Sequence, residues 1–286
     1  MAVFDDRGCE LGEGPLWHPG RGQLFWFDIL GNRLLARDGE TALAWDFGEH
    51  VSAAGWIDRD RLMVASETAL WIFEIATGRR ERLMDFAADT PHLRSNDGRA
   101  DPWGGFWIGT MAKAGETGPG AIWRYYRGEL RAVVPDVMIP NALCFDAARE
   151  VGYFADTERD TVWCQALDPA SGWPKGEPRV FLDLREAGLH PDGAVLDAEG
   201  RFWNAQWGAG RVACYGPDGR LLDEIAVPAA RSTCPAFGGA GLDTLFVTSA
   251  RVGLDADALA AQPEAGMTFA IPVAARGVPE PAVVLG

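Results

Sequence analysis

A short frame recurs along the chain, and its spacing restricts the fold more than any other feature. Four stretches place an oxygen-bearing side chain five residues ahead of an Asp or His. They are Gly-Glu13-Gly-Pro-Leu-Trp-His18, Ser-Asn96-Asp-Gly-Arg-Ala-Asp101, Pro-Asn141-Ala-Leu-Cys-Phe-Asp146 and Pro-Asp192-Gly-Ala-Val-Leu-Asp197. A fifth, Ala53-Ala-Gly-Trp-Ile-Asp58, keeps the frame without the oxygen, and a sixth begins near Pro235. Successive frames are about 40 to 50 residues apart, the length of one four-stranded propeller blade.

After each opening comes a second strand pattern, such as Gln23-Leu-Phe-Trp-Phe, Arg61-Leu-Met-Val-Ala, Gly105-Phe-Trp-Ile-Gly, Val151-Gly-Tyr-Phe-Ala or Arg201-Phe-Trp-Asn-Ala. Turn residues such as Asp38-Gly39 and Asp218-Gly219 separate such runs. The runs are rich in the aromatic and branched residues that strands favour. The 35 Gly and 18 Pro fall between apolar runs too short for typical helices. Only Asp255 to Ala261 has a helical pattern, with one further helical turn fitting Leu182 to Ala187. A β-sandwich or solenoid is the competing architecture. Near-equal units without a coil-like linker favour an all-β fold: a single six-bladed β-propeller over residues 1–286. Val3-Phe4 and Ala282-Val-Val-Leu are the terminal strands expected to complete its last blade.

At 286 residues the chain is long enough for a substantial core, and 48% hydrophobic residues make it globular rather than disordered. Its net charge of −15 argues against nucleic acid or an anionic membrane as partner. No run of about 20 apolar residues is present to span a membrane. The five cysteines, 9, 144, 164, 214 and 234, are odd in number and lack metal-ligand spacing. Reduced, buried thiols of a cytoplasmic protein are expected. The opening Met1-Ala-Val-Phe-Asp-Asp, with neither a basic stretch nor an apolar run, does not resemble a secretion signal. A monomer or weak homo-oligomer is expected.

In a propeller the first strand of each blade lines the central channel. The shared register therefore places Glu13, Asn96, Asn141 and Asp192 around one mouth. Two carboxylates and two amide oxygens form an all-oxygen set suited to Ca²⁺, Mg²⁺ or Mn²⁺, with Zn²⁺ or Fe²⁺ also able to bind carboxylates. Asn and Asp are also ordinary turn residues, and spacing alone leaves both readings open. His18, His50, His92 and His190 have no Ser or Cys partner in a recognisable arrangement, and there is no Gly-x-Ser-x-Gly elbow. Asp97 and Asp101 are read as turn caps, and Asp156-Thr157 as the end of a second strand.

Six motifs in order carry a resemblance that spans about Leu11 to Met267: Leu11-Gly-Glu-Gly-Pro-Leu-Trp, Arg94-Ser-Asn-Asp-Gly-Arg-Ala-Asp-Pro, Trp107-Ile-Gly-Thr-Met, Ile139-Pro-Asn-Ala-Leu, Pro191-Asp-Gly, and Phe237-Gly-Gly with Val247-Thr-Ser-Ala-Arg. The chain resembles the SMP-30/gluconolactonase/regucalcin-like family. The resemblance implies a six-bladed propeller that hydrolyses sugar aldonolactones with one divalent metal at the channel mouth. It implies Glu13, Asn141 and Asp192 as metal ligands, and Arg94 and Asn96 as substrate-binding residues. Some members carry a substrate-contacting acid just after Gly-Thr-Met, where this chain has Ala112-Lys113-Ala114. Substrate choice is therefore not carried over. Chemically, the metal would polarise the lactone carbonyl while Asp192 acts as the base. The alternatives are a metal-dependent esterase or phosphotriesterase on apolar substrates, and a non-enzymatic calcium-binding regulator.

Overall fold

The computed structural model describes residues 1–286, and the strands form six antiparallel sheets of four. Each of the first five sheets is built from four consecutive strands. The first strands of the blades are Gly12–His18, Val51–Asp58, Leu93–Ala100, Pro140–Asp146, His190–Leu196 and Ser232–Gly238. Each packs against the first strand of the next, and Ser232–Gly238 returns to Gly12–His18, closing a six-bladed β-propeller.

Closure differs from the sequence expectation at one end. Ala2–Asp5 supplies the outer strand of blade six, pairing with Thr268–Pro272 through Ala2↔Ala270 and Val3↔Phe269. Residues 282–285 add no strand. That edge is already taken, and Pro279 and Pro281 lack the N–H groups a ladder needs. The segment instead runs under the ring as a strap. The Ala198 N–H donates to the Arg276 carbonyl, the Val283 N–H to the Trp56 carbonyl at 2.8 Å, and the Val284 N–H to the Gly104 carbonyl at 2.9 Å. The helix forms at Ala256–Ala261, where the Asp255 carboxylate accepts the Ala258 N–H at 2.8 Å. Leu182–Ala187 is not helical. It finishes strand Arg179–Asp183 and then turns, because Val162 pairs with Leu182 in the sheet. No helix is long and apolar enough to cross a membrane.

The two ends of the recurring frame do different work. The Asp that closes it binds the turn leaving the first strand. Asp101 accepts the Trp103 and Gly105 N–H groups, Asp197 those of Glu199 and Arg201, and Asp146 that of Arg149. Asp101 and Asp197 also accept the indole N–H of Trp107 and Trp203, anchoring large side chains between blades. Asp101 further binds Arg124 Nε at 2.7 Å, and neither side chain reaches solvent. The Arg124 guanidinium lies over Tyr126 and Trp173 at 4.6 and 4.5 Å.

Removing one partner of such a pair strands a buried charge. Asp101→Ala should cost about 3–5 kcal/mol, measured by urea or thermal unfolding. A loss under about 1 kcal/mol, the range of an exposed pair, would show that Arg124 finds another acceptor.

Candidate functional site

All six first strands carry a β-bulge at the same end. The register shifts between Glu13 and Leu16, Val51 and Ala53, Ser95 and Gly98, Asn141 and Cys144, Pro191 and Ala194, and Ser232 and Pro235. A bulge breaks the pleat and re-aims the side chains beside it. Glu13, Asn96, Asn141 and Asp192 all stand at or inside their bulges, and all are 3–6% exposed. The frame drifts in the other two blades. A second irregularity between Trp56 and Asp58 makes Ser52, not Ala53, the residue inside the bulge of blade two. In blade six it is Thr233 rather than Pro235, and its hydroxyl donates to the Gly12 carbonyl at 2.6 Å. Gly14 follows Glu13 at φ 54°, where a Cβ would lie 2.3 Å from the Ser52 carbonyl oxygen. Ala142 follows Asn141 at φ 58°, a strained conformation worth about 1–3 kcal/mol outside glycine.

The four residues meet in one circuit with Arg94 and Thr157. Arg94 donates to Asn96 Oδ1 at 2.8 Å, and Asn96 Nδ2 donates to Asn141 Oδ1 and to the Pro140 carbonyl, each at 3.0 Å. Asn141 Nδ2 donates to the Thr157 hydroxyl at 2.8 Å, which donates to the Pro191 carbonyl at 2.6 Å. The next residue, Asp192, is within hydrogen-bonding reach of Glu13. The circuit lines a cavity of about 440 Å³, whose remaining wall includes Leu11, Leu30, Met111, Ile139, Trp207 and Val252.

Charge is not balanced here. Three buried carboxylates, Glu13, Asp97 and Asp192, and the nearly buried Glu280 face two buried guanidiniums, Arg94 and Arg99. Burial pushes the Asp192 carboxyl well above the usual range, and the charge of Glu13 adds to it. Burial, then Asp97, pushes Glu13 up to about 8, and burial lowers Arg94 to about 10. A cluster with two excess negative charges suits one divalent cation. Glu13 and Asp192 offer it carboxylate oxygens, and Asn141 an amide oxygen. The chain has no cluster of three or more His, Cys, Asp or Glu placed as ligands, so an ion held here would need the amide oxygen beside the two carboxylates.

The profile of the SMP-30/Gluconolactonase/LRE-like region matches residues 11–251. An L-arabinolactonase of Azospirillum brasilense is 37% identical over 93% of this chain and 90% of its own length. A 6-deoxy-6-sulfogluconolactonase of Pseudomonas putida is 36% identical over 95% and 94%. The crystal structure of a calcium-binding protein, regucalcin, from Agrobacterium tumefaciens superposes with a TM-score of 0.96 at 37% identity, covering 99% of this chain and 97% of that one. The chain belongs to the SMP-30/Gluconolactonase/LRE-like family.

Within this family frame, several residues are placed differently from their sequence readings. Asn96 spends most of its amide on Arg94, Asn141 and Pro140, leaving one oxygen lone pair for another partner. Asp97 does not cap a turn: it is buried in the channel and accepts the Leu143 N–H at 2.8 Å. Thr157 was legible only as a strand end, yet its hydroxyl orients Asn141. The 3₁₀ turn Thr157–Arg159, capped by Asp156, brings it there. His190 lines the cavity, with Nδ1 held by Asp160 at 2.6 Å.

Two outcomes follow from this geometry. Thr157→Val removes the acceptor that keeps the Asn141 oxygen facing inward, so affinity for a divalent metal should fall by about tenfold, as for other residues that orient ligands. Calorimetric titration measures it, and unchanged affinity would separate Thr157 from the site. The second outcome concerns pH. With Glu13 raised to about 8, the folded metal-free chain keeps a proton that the unfolded chain releases near 4.5. That stabilisation is fully present below the unfolded value and is lost as pH rises through about 8. Since the proton competes with a cation, added divalent metal should raise Tm more near about pH 8 than near about pH 6. An equal rise at both would place the cation away from the carboxyl pair.

Proposed function

We propose that the chain is a metal-dependent lactonase, opening a sugar aldonolactone to its aldonic acid. The observation that carries this is the circuit itself: two buried carboxylates, an amide oxygen and an arginine converge at one mouth. The scaffold is shared along nearly its whole length with sugar lactonases. Glu13, Asn141 and Asp192 would hold one divalent ion, a reading helped by the calcium-binding name of the regucalcin neighbour. Ca²⁺, Mg²⁺, Mn²⁺, Zn²⁺ and Fe²⁺ remain the candidates. When bound, the ion supplies positive charge that polarises the lactone carbonyl.

The protein supplies the rest. The Asp192 carboxylate takes a proton from the attacking water as its oxygen bonds to the carbonyl carbon. The ring C–O bond then breaks, and the proton leaves with the ring oxygen as a hydroxyl. Arg94 commits one nitrogen to Ser95 and Asn96, and its other N–H groups can hold the sugar hydroxyls, with the spare lone pair of Asn96 beside them. The five buried, unpaired cysteines suit a reducing compartment, and we place the protein in the cytoplasm.

The apolar part of the cavity wall favours a second reading, an esterase or phosphotriesterase on apolar substrates with the same metal. Rates on a panel of pentono- and hexonolactones beside an aryl ester decide between them. Chelation should abolish activity and added metal restore it. Activity that survives chelation would remove the metal, and preference for the aryl ester over every lactone would favour the second reading. At saturating metal, Asp192→Asn should lower kcat by roughly 10²-fold, the usual scale for a positioned base. Arg94→Lys should raise KM and leave metal binding intact, because a point charge replaces a planar fork. Near-normal turnover of Asp192→Asn would take the base role from Asp192.

A further inference from the structure

The face of the ring opposite the mouth is crossed by the strap that follows Pro272, and one of its side chains enters the channel. The Glu280 side chain is only 9% exposed and pairs with Arg99. The Gly277 N–H donates to the Leu242 carbonyl at 2.8 Å, the Glu280 carbonyl accepts the Trp56 indole N–H at 2.8 Å, and Val283 is buried beside Ala53, Ala100 and Phe106, fixing the strap on both sides of the carboxylate. Arg99 belongs to the first strand of blade three. It reaches across the channel to the carbonyl of Ala194 in blade five, at 3.2 Å. Ala194 lies two residues beyond Asp192. Asp97, two residues before Arg99 and beside Asn96, accepts the N–H of Leu143, two residues beyond Asn141. The first strands of blades three, four and five are thus tied together directly beneath Asn96, Asn141 and Asp192.

We propose that Glu280 is a positioning residue for the metal centre: through Arg99 its carboxylate sets the centre's charge and strand spacing from the far side of the ring. This rests on the metal reading above. With its charge present, Glu280 engages Arg99 and leaves Asp97 to the Leu143 N–H. Without it, the Arg99 cation is unopposed beneath the cluster. It turns to Asp97, weakens the hold on the Asn141 strand and reduces the negative field a cation would feel. Both effects lower metal affinity.

The test is calorimetric titration of Mn²⁺ and of Ca²⁺ into the folded full-length protein. Glu280→Gln, close in shape but uncharged, should bind the metal about tenfold more weakly than wild type, the lower end for residues acting through ligands. Glu280→Asp, which keeps the charge, should recover part of that loss. Val283→Ala is the control: it loosens the strap's packing, so it should lower Tm with metal affinity unchanged. Metal affinity in Glu280→Gln within twofold of wild type would overturn the proposal and leave the strap a structural clasp. If Glu280→Gln does not fold, the comparison of Glu280→Asp with Val283→Ala decides. Weaker binding in the first alone supports the proposal, and equal binding in both overturns it. Failure of the wild-type protein to bind either ion would instead overturn the metal reading on which it stands.

Discussion

An unbalanced set of buried charges is held at the axis of the ring, and the rest of the structure must answer it. Burying carboxylates is expensive unless something answers their charge. Arg94 and Arg99 answer only part of it for Glu13, Asp97, Asp192 and Glu280. Protonation can cover the remainder, and the raised Glu13 and Asp192 carboxyls show that tendency. A cation can cover it as well. Six blades of hydrophobic core hold the groups in place against their repulsion, in clusters that include Phe25, Phe27, Phe73 and Phe202.

Each blade separates the site from what supports it. The mouth end of the first strand carries the bulge and whatever oxygen the blade contributes. In blades two to five the far end carries an Asp that binds the turn and, in blades three and five, also a tryptophan of the second strand. Blades one, three, four and five contribute a carboxylate or an amide, while blades two and six hold small hydroxyl residues. The Thr233 hydroxyl is turned into the backbone, donating to the Gly12 carbonyl.

Much of this was legible in the chain, for a physical reason. A bulge at a fixed place in each first strand keeps the oxygen residue and the turn Asp at constant separation, so Glu13, Asn96, Asn141 and Asp192 align without a structure. The frame failed at Ala53 and Pro235 because an extra residue in a strand, or a neutral one at the bulge, leaves no chemical mark. Asp97 resembles a turn Asp in sequence, and only the backward turn of the bulge sends it into the channel. Thr157 and Glu280 act through contacts with residues far away in sequence, Pro191 and Arg99. Such pairings are set by closure of the ring and the path of the strap, and no local spacing encodes them. The terminal strand was misplaced for a related reason: two segments were apolar enough for one edge, and only pairing decides which occupies it.

The cavity has a polar side and an apolar side. The polar circuit is nearly saturated by its own hydrogen bonds, so little of it is free to distinguish one sugar from another. Arg94 retains N–H groups, Asn96 one lone pair, and Glu158 and His190 stand at the edge of the cavity. The opposing wall, with Met111, Ala112, Ala114 and Ile139, offers no side-chain hydrogen bond. A hydroxyl pressed against it would lose water without replacement, at a cost of about 1–3 kcal/mol. Lys113, in the same stretch, is occupied with Glu67 at 2.7 Å. The stretch after Gly-Thr-Met therefore presents an apolar face to the cavity, where a hydroxyl would find no side-chain partner.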